Sequence, residues 1–114
     1  MRNDGATADD LKLRTKLFAL RIIKLVRSLP RDTASVEMGR QIVRSGMSVA
    51  ANYRAACRGR STAEFIAKLG IVEEEADETA LWLELLIESD TLRKPKVEPL
   101  LDEANQIVAS IHTA

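Results

Sequence analysis

Between Ser61 and Asp90 the small and apolar positions Phe65, Leu69, Val72, Ala76, Thr79, Leu83 and Leu86 are separated by steps that alternate between four and three. That spacing keeps one seam on one side of a helix for about eight turns. A helix of this kind does not stand alone in water, because most of its stability comes from laying the seam against partners. The rest of the chain therefore has to supply apolar helices.

It does so three times. Residues 1–8 are polar and small, include Gly5, and are expected to be a disordered tail, leaving 9–114 as a single domain. Asp9 and Asp10 suit an N-cap and first turn, where the helix dipole favours acids. The first predicted helix then runs to about Ser28, with a stripe of Leu11, Phe18, Ile22, Leu25, Val26 and Leu29. Leu13, Leu17, Leu20 and Ile23 fall mostly on the opposite side. A helix in a small monomer needs one buried face, so this second apolar face points to contact with another subunit. Leu29-Pro30 ends the helix, since proline disfavours α geometry in the residue before it.

The second predicted helix starts near Thr33, which suits an N-cap, and carries Met38, Ile42, Val49 and Tyr53, widened by Val43, Met47 and Ala50. Gly39 and Gly46 lie seven apart on its flank. Each costs about 1 kcal/mol against Ala in a helix interior, which marks the close approach of a neighbouring backbone. Arg58-Gly59-Arg60 breaks the helix, with Gly59 suited to a left-handed turn. Ser61-Thr62-Ala63-Glu64 then reads as a capping box opening the third helix. Trp82, beside the seam, reads as core or subunit contact. After a loop from Asp90 to Lys94, a fourth helix begins near Pro95 or Lys96, where proline fits the first turn; Pro99 is expected to be tolerable only within that same turn. Its stripe is Val97, Leu100, Leu101, Ala104, Ile107, Val108 and Ile111. Four amphipathic helices with short connections predict an all-α fold, an antiparallel up-down-up-down four-helix bundle.

The 114 residues fit one domain, and the scarcity of Gly (5) and Pro (3) argues against an all-β fold with its many turns. Cys57 is the only cysteine, so no intrachain disulfide forms; its Ala55-Ala56 setting suits helix-end packing. No apolar run approaches the roughly 20 residues of a membrane span, and Met1 to Asp10 lacks a signal-peptide core. A cytoplasmic location is expected.

Net charge is zero, yet residues 1–60 carry 13 Lys/Arg against 5 Asp/Glu, a net +8, and residues 61–114 carry 4 against 12, a net −8. Two readings stay open. Oppositely charged helices packed together attract one another, or the first two helices present a basic surface to a polyanion.

Enzymatic chemistry finds no foothold. Di-iron bundles need facing carboxylates and Glu-x-x-His pairs, but the sole histidine is His112, and Glu73 to Glu78 points around the whole helix as a solvated face. A Ser or Cys nucleophile lacks a buried base, and no phosphate loop is present. The chain is expected to be no enzyme and to hold neither metal nor cofactor. Nucleic-acid binding survives. Its candidates are Arg14, Arg21, Lys24, Arg27 and Arg31 on and after the first helix, Arg40 and Arg44 on the second, and Arg54, Arg58 and Arg60 at the next turn. With Tyr53 assigned to the core, stacking aromatics are missing, so recognition would be of backbone and shape.

The runs Leu29-Pro30, Arg40 to Ser45, Val49 to Ala56, Arg60-Ser61, Glu64 to Leu69, Glu74 to Thr79 and Trp82 to Leu85 resemble the bacterial four helix bundle protein family over roughly residues 10 to 112. That family includes the 23S rRNA intervening-sequence proteins and the accessory variability protein of diversity-generating retroelements. Many of its members carry Pro and Ser shortly before the counterpart of Asn52 and an acid after it. Here those places read Val49-Ala50-Ala51 and Arg54-Ala55, which makes the turn more basic. The resemblance implies a four-helix bundle that assembles with itself as a ring, commonly a homopentamer. For the retroelement branch it also implies binding to RNA or DNA and to a reverse transcriptase through basic surfaces.

Overall fold

The computed structural model describes residues 7–112, which form four α-helices: α1 Ala8–Val26, α2 Thr33–Cys57, α3 Thr62–Glu88 and α4 Lys94–His112. The tail expected at the N-terminus lies outside the described residues up to position 6. Thr7 and Ala8, placed in that tail by sequence, belong to the fold. The Thr7 hydroxyl accepts the Asp10 amide at 3.1 Å and the Asp10 carboxylate accepts the Thr7 amide at 3.2 Å, so α1 begins with a complete capping box.

Each helix packs beside its sequence neighbours, and α1 closes the bundle against α4 along a shorter seam than the other three pairs share. The pairings run in opposite senses. Ile22 lies against Gly46 while Val26 and Leu29 lie against Gly39. Ser45 meets Thr79 at mid-helix while Gly59 meets Phe65 at the α2–α3 turn. On α3 and α4, His112 reaches Glu73.

The seam of α3 becomes the centre of the core: Leu69, Val72, Ala76, Thr79, Leu83 and Leu86 are all buried, with Phe65 half-buried at the end. Phe18 and Ile22 from α1, Ile42 and Val49 from α2, and Val97 and Ile107 from α4 close around it. Trp82 is half-buried against this cluster and donates its indole N–H to Glu78 at 3.2 Å. One polar layer crosses the core. Ser45 and Thr79, both fully buried, sit 2.7 Å apart across α2 and α3, and each hydroxyl also reaches a carbonyl one turn back on its own helix. No buried side-chain nitrogen or oxygen among the described residues lacks a partner.

Several local expectations shift. The N-cap of α2 is Asp32, not Thr33: one carboxylate oxygen takes the Ser35 amide at 3.0 Å and the other the Ser35 hydroxyl at 2.8 Å. Those bonds hold the Asp32 carboxyl below its ordinary pKa. Gly59 is not left-handed; among the described residues the single positive φ belongs to Asp90, at 58° in the α3–α4 turn. Glycine is needed at 59 because a Cβ would meet the Ala56 carbonyl oxygen at 3.1 Å and the Phe65 amide nitrogen at 3.3 Å. Ser61 caps Glu64 as expected, but the Glu64 carboxylate reaches past it to the Arg60 amide. Pro99 lies in the second turn of α4, not the first. Its missing N–H leaves the Pro95 carbonyl without its helical donor, and both prolines are exposed, so water can serve that oxygen. Gly39 admits the side chains of Val26 and Leu29, and Gly46 that of Ile22, where sequence suggested a neighbouring backbone.

The second apolar face of α1 is real. Leu13, Leu17 and Leu20 are 58%, 49% and 54% exposed, and Val36, Met47, Ile66, Leu81 and Leu85 add further exposed hydrophobic surface on α2 and α3. No described helix is long and apolar enough to cross a membrane.

Candidate nucleic-acid interface

The ten basic residues singled out by sequence do not form one surface. Arg14 faces α4, where its Nε donates to one oxygen of Glu103 at 2.6 Å and its Nη2 to the other at 2.9 Å. The same Nη2 donates to the Gln106 side-chain Oε1 at 2.9 Å. This two-pronged bond raises the Arg14 pKa further above its already high ordinary value. Arg44 reaches across to α3, donating to Glu75 at 3.3 Å and, closely, to Glu78, which also accepts from Trp82. Its pKa is likewise raised, chiefly by the bond to Glu78. These two arginines are spent within the bundle, and for them the attraction between basic and acidic helices holds.

The others divide between the two ends of the bundle. Arg54, Arg58 and Arg60 lie exposed around the α2–α3 turn. Arg21, Lys24, Arg27, Arg31 and Arg40 lie towards the opposite end, where α1 stops and α2 starts. Arg40 sits 3.8 Å from Glu37 in its own helix, an exposed pair that is weak and screened by salt. Arg21, Lys24, Arg27 and Arg31 make no ion pair among the described residues.

Because neighbouring helices run oppositely, the α3–α4 turn arrives at this same end. It brings Arg93, Lys94 and Lys96, which sequence reasoning missed. The signal was the run Arg93-Lys94-Pro95-Lys96, hidden when its charge was summed with the acidic third helix. Two grooves result. One, of about 480 Å³ between α1 and α2, has Arg27, Arg31 and Arg40 on its rim and Val36, Gly39 and Val43 beneath. The second, of about 350 Å³ between α1 and α4, is bordered by Arg21, Lys24 and Lys96 over Leu25, Pro99 and Leu100. Asp32, Glu88, Asp90 and Glu98 also lie at this end, but no acid lines either groove; Glu73, Glu74 and Asp77 line a separate shallow groove beside Gly70 and Val108. Among the described residues no set of three or more His, Cys, Asp or Glu side chains is grouped to hold a metal ion.

Cys57 ends α2, half-buried beside the Tyr53 hydroxyl. Burial, followed by the Cys57 contact, pushes the tyrosine pKa up, so it stays a neutral core residue.

No curated protein matches the chain. Among solved structures, a protein of unknown function from the S23 ribosomal protein family of Bacteroides thetaiotaomicron is 36% identical to it. That alignment covers 90% of this chain and 95% of the other, with a TM-score of 0.85. The family model for the 23S rRNA-intervening sequence protein matches residues 10–113, nearly the whole bundle. Fold, residue pattern and match agree, and the chain belongs to the 23S rRNA-intervening sequence protein family.

Proposed function

We propose that this protein is a non-enzymatic, cytoplasmic, ring-forming homo-oligomer of five copies. In this reading the end of the bundle where α1 meets α2 and α3 meets α4 binds structured RNA or DNA, or a nucleoprotein partner such as a reverse transcriptase. The observation that carries it is the convergence of Arg21, Lys24, Arg27 and Arg31 with Lys96 at one end, each without a carboxylate partner among the described residues. Unpaired cations gathered this way form an electrostatic footprint for phosphates, and a ring would repeat it around an axis. The exposed Leu13, Leu17 and Leu20 stripe supports assembly, because a contiguous apolar face marks a contact surface. Arg54, Arg58 and Arg60 supply a second, smaller basic patch at the far end.

The test is binding of a fluorescent RNA hairpin across a salt series, with light scattering to count subunits. Affinity should fall with salt by a log–log slope of about 0.7–0.9 for each phosphate neutralised. A flat salt dependence, or no retention at low salt, removes the nucleic-acid role; a compact monomer at micromolar concentration removes the ring. A protein scaffold with no nucleic-acid role is the second reading. The ties of Arg14 to Glu103 and of Arg44 to Glu75 and Glu78 favour it, since they assign part of the positive charge to holding helices together.

A further inference from the structure

We propose that the cleft between α1 and α4, walled by Arg21, Lys24 and Lys96, seats a backbone phosphate of the bound nucleic acid. This rests on the nucleic-acid reading above and names the place where it acts.

Three features single out this cleft. First, its lining has three cations and no acid: Arg21 and Lys24 sit one turn apart on α1, and Lys96 faces them from α4. None of the three has an ion-pair partner among the described residues, whereas in the groove between α1 and α2 Arg40 already approaches Glu37. Second, the floor of Leu25 and Leu100 is closed and apolar, with exposed Pro99 at its edge, so a phosphate there would be partly shielded from water and its sugar would have a surface to rest on. The Ser28 hydroxyl, also in the lining, donates to the Leu25 carbonyl at 2.6 Å and so leaves the cations as the donors for an anion.

Third, the charge is placed against the local field. The first turn of α4 contains no acid, and Arg93, Lys94 and Lys96 crowd the end of a helix whose dipole favours anions. Lys94 is relieved by Glu98 at 3.6 Å; Lys96 has no such relief. α1 and α3 carry Asp9, Asp10 and Glu64 in their first turns and α2 opens on the acid cap Asp32, whereas the first turn of α4 holds Lys94 and Lys96 with no acid. An anion in the cleft would satisfy the three side chains together and relieve their crowding beside the start of α4.

This makes a prediction of opposite signs that a merely structural lysine would not produce. Lys96→Glu places a carboxylate at the helix start, facing Arg21 and Lys24, and should raise Tm by roughly 2–5 °C. The same change should weaken binding of the RNA hairpin roughly tenfold at 0.1 M salt and lower the salt slope by about one phosphate. Lys16→Glu, an exposed residue on α1 outside the cleft, makes the same change in net charge and is the control. Higher Tm with selectively weaker, less salt-dependent binding supports the cleft. Equal losses in both variants, or a Lys96→Glu affinity like that of the unaltered protein, overturn the cleft and leave the nucleic-acid reading standing. A lower Tm for Lys96→Glu overturns the claim of uncompensated charge and the cleft with it. If the unaltered protein binds no RNA even at low salt, the broader reading fails and the cleft falls too.

Discussion

Replacing each of three helical glycines by alanine should give three different outcomes, because the same methyl meets three different surroundings. In an open helix the change gains about 0.8–1 kcal/mol, the difference in helix propensity. At Gly70 an added Cβ meets nothing within 4 Å, so Gly70→Ala should stabilise by about that amount. At Gly46 the Cβ would lie 2.9 Å from Cγ1, 3.0 Å from Cγ2 and 3.3 Å from Cβ of Ile22. Ile22 is fully buried, and a β-branched side chain in a helix has one strongly preferred rotamer, so it cannot turn aside. The helices must separate or the rotamer must strain, which costs about 1–3 kcal/mol in a packed core and outweighs the propensity gain. Gly46→Ala should therefore destabilise by up to about 2 kcal/mol net. Gly39 lies between these cases: the Cβ would meet Leu29 Cδ1 at 3.0 Å and Val26 Cγ1 at 3.2 Å. Both belong to half-buried residues at or just beyond the end of α1, where side chains can give, and Gly39→Ala should be near neutral. Urea unfolding followed by circular dichroism, at one protein concentration for all variants, would order them Gly70→Ala, unaltered, Gly39→Ala, Gly46→Ala, with the middle two close together. A Gly46→Ala variant as stable as Gly70→Ala would refute the tight α1–α2 contact.

The remaining predictions concern charge. The Asp32 carboxyl has a folded pKa below its unfolded value, so its contribution to stability is complete above the ordinary carboxylate pKa of about 4 and disappears as pH falls through the lower folded value. Asp32→Asn keeps a capping oxygen but cannot titrate; urea midpoints measured through that acid range should show a shallower loss than in the unaltered protein, and an identical profile would exclude Asp32 as a source of acid sensitivity. The Arg14–Glu103 pair is two-pronged but only partly buried, so a double-mutant cycle with Arg14→Met and Glu103→Gln should return a coupling of about 0.5–1 kcal/mol that shrinks with salt. A coupling near zero would mean that solvent screening cancels the geometry.

What sequence could reveal depended on whether a feature is periodic or local. The seam of Leu69, Val72, Ala76, Leu83 and Leu86 was legible because burial repeats every three to four residues and each position reinforces the next. The same holds for Val97 to Ile111, and for the exposed Leu13, Leu17 and Leu20, whose misfit with a single buried face was visible from spacing alone. Helix starts were less legible, because Asp32 and Thr33 are both good caps and only the second bond to Ser35 decides between them. Gly59 was read for the wrong property: its value is lack of bulk against the Phe65 amide, a contact that exists only once α3 has folded back. The candidate site was legible by composition but not by place. Arg14 and Arg44 look like Arg21 in the sequence, yet they meet acids on helices far along the chain. The short basic run Arg93-Lys94-Pro95-Lys96 follows an acidic helix in the chain, and only the folded bundle sets Lys96 beside Arg21 and Lys24.

Pro99 gives the start of α4 a distinct mechanical character. With Pro95 unable to hand its carbonyl to a backbone donor, the first two turns rely on the anchorage of Val97 and Leu100 more than on the hydrogen-bond ladder. Segments held in this way breathe at lower free energy than the rest of a domain. Amide exchange should be faster there than in the middle of α3, so the wall that carries Lys96 should yield more readily than the centre of the bundle.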